Sequence, residues 1–188
     1  DLFKNPNIRR LLGDQCRFIY NPAGRPDPML IPWVRRAAIF KEHGHIDVLI
    51  NNAGVTYPKE GVYDDKSWDR TMSVNLTAAF SCSQICCGYM ARNRSGSIIN
   101  ITSLNAERAF PNNPAYVASK GGLRMLGKAL AKDWGAYGIR VNNVGPGYIR
   151  TDITGRSYRD IKARQARTAN TMLGRWGDPE DLAGPCIF

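Results

Sequence analysis

Tyr116 and Lys120 stand four residues apart in Tyr116-Val117-Ala118-Ser119-Lys120, with Ser103 thirteen residues upstream. A helix brings residues four apart onto one face, so the Lys120 ammonium can lie beside the Tyr116 phenol and favour its ionised form. A free phenol, with a pKa of about 10, is too weakly acidic for proton transfer near neutrality. A desolvated cation beside it is the simplest way to bring it into the working range of a general acid/base. The Ser103 hydroxyl can donate to an oxygen on which charge develops. Taken singly, a Tyr and a Lys at this spacing also fit an exposed surface pair, and a Ser after a strand also fits a turn or a cap.

Positioning such a trio takes strands and helices in alternation, and the chain has them. Three short apolar runs, Ile46–Ile50, Ser97–Ile101 and Ile139–Val144, read as strands buried on both faces. Between them, Trp68–Met90 reads as a helix, and Asn113-Pro114 supplies an N-cap and a first-turn proline for a second helix to about Trp134. Strand, helix, strand, helix, strand predicts parallel pairing through right-handed crossovers, an α/β layered fold. Cys16–Tyr20 reads as a further strand and Pro32–Glu42 as a helix, with Asn5–Gly13 as the end of another and Asn21–Pro28 as turn. Asp178-Pro179-Glu180-Asp181 opens a last short helix.

The 188 residues, 43% of them hydrophobic, fit one domain, 1–188, with a substantial core. A formal charge of +10 raises the question of a polyanion partner. The basic residues are spread out, densest at Arg35-Arg36, Arg92 with Arg94, and Arg156–Arg167, without the aromatic interleaving that stacks bases, so no nucleic-acid partner is expected. Neither a signal segment nor an eighteen-residue apolar run occurs, which predicts a soluble cytoplasmic protein with no membrane partner. Of five cysteines, Cys82, Cys86 and Cys87 fall on an apolar helical stretch and read as reduced core thiols. His43 and His45 are far in sequence from them, so no metal site is expected.

Several motifs then occur in order. Asn51-Asn52-Ala53-Gly54 follows the Ile46 strand, Asn75 lies inside the next helix, Ser103 ends the next strand, and Tyr116-x-x-x-Lys120 opens the helix after it. Pro146-Gly147-Tyr148-Ile149-Arg150-Thr151 follows the Ile139 strand. Together, from Ile46 onward, they resemble the classical short-chain dehydrogenase/reductase family. The resemblance implies a doubly wound, mostly parallel Rossmann-like sheet and an NAD(P)-dependent oxidoreductase acting on a small alcohol or ketone of sugar-acid, polyol or 3-oxoacyl type. It implies a catalytic set of Asn75, Ser103, Tyr116 and Lys120. Tyr116 would exchange the proton, and Lys120 would lower its pKa and hold the nicotinamide ribose. Asn75, a poor helix-interior residue that needs a reason to be there, would hold a water linking the lysine to solvent.

For the cofactor, NAD or NADP, the resemblance implies contacts at Asn51, Ala53, Gly54, Tyr116, Lys120, Pro146, Gly147, Ile149 and Thr151. Asn51 and Thr151 fit plain turn stabilisation equally well. Asp152–Thr171 would be the polar substrate loop, where Arg150, Arg156 and Arg159 either meet a carboxylate or are solvated. Gly121, Gly122, Ala118 and Ala129, with Gly88 and Ala91, either pack within the chain or serve the family's homodimer or homotetramer interface. The family's Gly-rich first turn and its terminal strand are missing, since Gly13, Gly24 and Gly44 are too scattered to cradle a pyrophosphate. The fold is therefore expected to be incomplete at both ends, with an exposed sheet edge, and the chain part of a longer protein. The alternative is a truncated, noncatalytic binding or scaffold protein.

Overall fold

The computed structural model describes residues 18–19, 45–58 and 64–187. The Pro32–Glu42 helix, the helix end read at Asn5–Gly13 and the turn read at Asn21–Pro28 lie outside the described residues. The chain divides into two compact units, one spanning residues 17–145 and one containing residues 146–188.

The first unit carries a four-stranded sheet of β1 (Phe18–Ile19), β2 (Val48–Asn51), β3 (Gly96–Ile101) and β4 (Ile139–Val144), ordered β1-β2-β3-β4. Every pairing is parallel, so the expected Rossmann-like α/β fold is present. β2 starts two residues later than the apolar run suggests, and Ile46 precedes it as a buried residue. Phe18 and Ile19 pair with Val48 and Leu49, so this short strand occupies part of the edge expected to be open.

The register stacks side chains in rungs on one face. Leu49, Ile98 and Val141 form an apolar rung that joins Cys82, Cys86, Met90 and Leu130 in the core. Cys82, Cys86 and Cys87 are buried there, as their helical spacing suggests. Two residues along each strand, the rung is Asn51, Asn100 and Asn143.

The helix read over Trp68–Met90 is longer and interrupted. It runs as α1 (Asp65–Met72), a π turn over Ser73–Thr77, and α2 (Ala78–Asn93). Asp64 caps it by accepting the Ser67 N–H at 2.8 Å. α3 (Pro114–Trp134) matches its predicted bounds. Asn113 does not cap it through its side chain as expected. That amide donates instead to Thr56 Oγ1 at 2.7 Å, a side-chain acceptor brought close by the segment after β2.

The second unit holds α4 (Gly155–Arg159), α5 (Ile161–Thr168), a 3-10 turn at Pro179–Leu182 and α6 (Ala183–Ile187). Two short helices thus stand where the sequence reads as a polar loop. Asp160 caps α5 by accepting the Ala163 N–H at 3.0 Å, and Lys, Ala, Arg and Gln favour the helix behind it. The buried Trp176 packs on Tyr148 and Tyr158 with ring centroids 5.4 and 5.2 Å away. Arg150 and Arg164 lie over the Tyr158 ring and Arg167 over Tyr148. Part of the basic excess is therefore tied up inside the chain. Among the described residues no helix is long and apolar enough to cross a membrane.

Candidate active site

The π turn gives Asn75 its reason for being inside a helix. Widening the winding by one residue lets its side chain point into the protein, where it is fully buried. Its Oδ1 accepts the Val55 N–H at 2.8 Å, and its Nδ2 donates to the Val55 carbonyl and to Ser119 Oγ, each at 3.0 Å. Ser119 donates in turn to the Tyr116 carbonyl at 2.9 Å. The amide thus binds the chain after β2 to the first turn of α3. Ser119 gave no sign of this role in the sequence, because a Ser between two motif residues looks like any small helical residue.

Lys120 is buried, with 3% of its surface exposed. Its Nζ donates to the Ile101 carbonyl at 2.7 Å and lies 5.8 Å from the centre of the Tyr116 ring. Ile101 is a second partner the sequence did not announce, since a backbone acceptor carries no residue signature. Gly54 comes close to both functional groups. A Cβ there would stand 3.5 Å from Lys120 Nζ and 3.7 Å from Asn75 Oδ1. An ammonium has three donors, so Lys120 can hold Ile101 and still serve a further acceptor such as a ribose hydroxyl. That chemistry fits a nicotinamide cofactor.

Ser103 follows β3 in an extended conformation, and its hydroxyl accepts the Asn105 N–H at 3.1 Å. It also lies near enough to the Tyr116 phenol to favour the ionised form. Burial pushes the Tyr116 phenol above its ordinary pKa, and the nearby Ser103 hydroxyl only partly opposes it. This corrects the lowering expected from Lys120, because desolvation of the phenolate outweighs the help it receives. Burial moves Lys120 the other way, from 10.5 down to about 8. The lysine is the desolvated cation the spacing suggested, and it is the group that titrates nearest neutrality.

These two directions set a stability profile. The unfolded chain binds the Lys120 proton more tightly than the folded one, so stability rises as pH passes from about 8 to 10.5. At about 1.4 kcal/mol per pH unit, the gain is about 3 kcal/mol. Tyr116 acts in the opposite sense. Its raised folded pKa makes deprotonation favour the unfolded chain above its ordinary value of 10.0. Urea unfolding at closely spaced pH values should show stability climbing from about pH 8 and turning over above about pH 10. A flat profile across that span would show that Lys120 is not desolvated.

Asn75, Ser103, Tyr116 and Lys120 therefore converge in the first unit, with Gly54 against them. Ala53 is partly buried in the segment after β2. The Asn51 side chain turns into the sheet, donating to Ser83 Oγ and Asn100 Oδ1. Pro146, Gly147, Ile149 and Thr151 lie in the second unit. There Ile149 bridges Gly177, and the Thr151 N–H is taken by Thr154 Oγ1 at 3.0 Å. Gly147 is exposed, with open space where a Cβ would stand. Arg150 is paired with Asp178, which holds the guanidinium above its already high pKa, and Arg175 with Asp181, which holds that carboxyl well below the usual range. Arg150 is thus already partnered where a substrate carboxylate was considered.

Comparison with known proteins finds relatives along most of the chain. The sequence model of the family described as enoyl-(acyl carrier protein) reductase matches residues 35–188. The chain is 39% identical to gluconate 5-dehydrogenase of Gluconobacter oxydans over 154 residues, covering 81% of this chain and 60% of that protein. It is 37% identical to 3-oxoacyl-acyl-carrier-protein reductase FabG of Thermotoga maritima over 151 residues, covering 80% and 61%. The crystal structure of gluconate 5-dehydrogenase from Burkholderia cenocepacia J2315 in complex with NADP and tartrate superposes with a TM-score of 0.81 at 34% identity, covering 84% of this chain and 62% of that one. The matched region spans about three fifths of the length of each of these proteins.

Proposed function

Because this chain belongs to the classical short-chain dehydrogenase/reductase family, we propose that it carries the catalytic site of an NAD(P)-dependent oxidoreductase. Its substrate is a small alcohol or ketone. The observation that carries the reading is the buried Lys120, held by the Ile101 carbonyl and placed 5.8 Å from the centre of the Tyr116 ring. A nicotinamide cofactor, NAD or NADP, supplies or accepts the hydride when bound.

The chain's own groups do the rest. Ser103 and Tyr116 bind one substrate oxygen, and Tyr116 gives it a proton in reduction or takes one in oxidation. Lys120, charged below about pH 8, stabilises negative charge at the phenol and donates to the ribose. Asn75 fixes the Val55 backbone and α3 on either side of the site. Asn51, Ala53, Gly54, Pro146, Gly147, Ile149 and Thr151 are assigned the remaining cofactor contacts. Likeness to gluconate 5-dehydrogenases and to a 3-oxoacyl reductase supports a polar hydroxy acid or a 3-oxoacyl thioester as the substrate class.

The reading includes a cytoplasmic protein, supported by buried thiols that a reducing compartment preserves. It also includes a homodimer or homotetramer through α2 and α3. Gly122 is used inside the chain, where a Cβ would come within 2.9 Å of Leu76, but Gly88 and Gly121 have open space before them. Phe80 and Met125 are exposed on the same two helices. The second reading is a noncatalytic binding or scaffold protein that keeps the fold.

Titrating the full-length protein with NAD and NADP separates the two. Binding, followed by turnover of gluconate or a 3-oxoacyl thioester, is the expected result. No binding of either nucleotide would favour the scaffold.

A further inference from the structure

The asparagine rung does more than fill a polar gap in the sheet. Asn51 Nδ2 donates to Ser83 Oγ on α2 at 3.0 Å and to Asn100 Oδ1 at 2.8 Å. Asn100 Nδ2 donates to Asn143 Oδ1 at 3.1 Å, and Asn143 Nδ2 donates to the Arg124 carbonyl on α3 at 2.9 Å. Three in-register amides thus connect one helix to the next across β2, β3 and β4. Asn51 and Asn100 are buried, where an amide without partners is costly, so the arrangement of each member depends on the next.

The far end of this ladder lies next to the catalytic lysine. Arg124 is one helical turn after Lys120, and Asn100 directly precedes Ile101, whose carbonyl holds Lys120 Nζ. Asn143 therefore ties α3 to β4 one turn from the point where Lys120 ties it to β3. Gly127 makes the approach possible. A Cβ at that position would stand 2.2 Å from Asn143 Oδ1 and 2.8 Å from Asn100 Nδ2.

We propose that Asn143 is a positioning residue, which through the Arg124 carbonyl holds α3 where Lys120 reaches Ile101. The catalytic reading enters only through the role given to Lys120, so the test uses a readout that needs no turnover. In the full-length protein, amine acetylation followed by mass spectrometry reports the accessibility of each lysine. Lys128 and Lys132, exposed on the same helix, serve as internal references.

Asn143→Ala removes the whole amide, and Asn143→Asp, measured at pH 8.5, keeps the acceptor and the volume while losing the donor. Each is expected to speed Lys120 acetylation about tenfold, the size that fits loosening one hydrogen bond, with Lys128 and Lys132 unchanged. Lys120 labelling within about twofold of the parent in a variant with a cooperative thermal transition would overturn the proposal. Loss of that transition in both variants would overturn it too, making the ladder a general core element. Lys120 exposure in the variants of a protein without turnover leaves the positioning role in place and removes the catalytic reading. Unchanged protection in an active enzyme does the reverse.

Discussion

Tyr116→Phe is expected to lower turnover by about 10²–10⁴-fold, the usual contribution of a positioned general acid or base. The substitution keeps the ring and its place above Lys120, 5.8 Å from Nζ, and deletes only the hydroxyl beside Ser103. Its cost in stability should not exceed about 1 kcal/mol, the worth of a typical hydrogen bond. Nucleotide affinity should change by no more than a few fold, because Lys120 retains its bond to Ile101. Steady-state kinetics and a nucleotide titration on one preparation check both halves. Turnover within about tenfold of the parent would assign the proton to another group.

Lys120→Met should separate catalysis from stability in the opposite sense. Removing a buried cation from a proton-transfer site is expected to reduce kcat/KM by about 10²-fold or more. The ionisation near pH 8 should also vanish from the pH–rate profile, since the buried phenol is pushed upward and cannot supply it. Stability at pH 7 should hardly suffer. Methionine fills the same space without the desolvation cost of about 3 kcal/mol, and that gain offsets the lost bond to Ile101. The rise in stability between pH 8 and 10 should flatten in the variant. A pH–rate profile that keeps its ionisation near 8 would move that pKa to another residue.

The four residues that converge in the candidate site and the three long strands were legible because each leaves a local trace. Tyr116 and Lys120 share a helical spacing, Asn75 is an amide in a helix interior, and the strands are runs of Ile and Val. The π turn left none, since the apolar pattern Ala78, Cys82, Cys86, Met90 resumes after it. The direction of the Tyr116 shift was misread from spacing. It depends on how deeply the phenol is buried, which three-dimensional packing decides. The asparagine ladder needs the register of three strands whose members are 49 and 43 residues apart in sequence. α4 and α5 were hidden by arginines and threonines that look like loop composition until Asp160 is seen as a cap.

The π turn at Ser73–Thr77 also bears on how lengths compare between chains. It lodges a surplus residue within continuous helix, where a gap between two sequences would ordinarily be refused. A relative one residue shorter here can leave α2 seated on the sheet. It must then swing everything before the turn by about 100° around the axis, carrying the half-exposed Trp68 to another side. In such a pair the same helix would present two different faces at its amino end, and the mismatch would be a rotation with no loop to mark it.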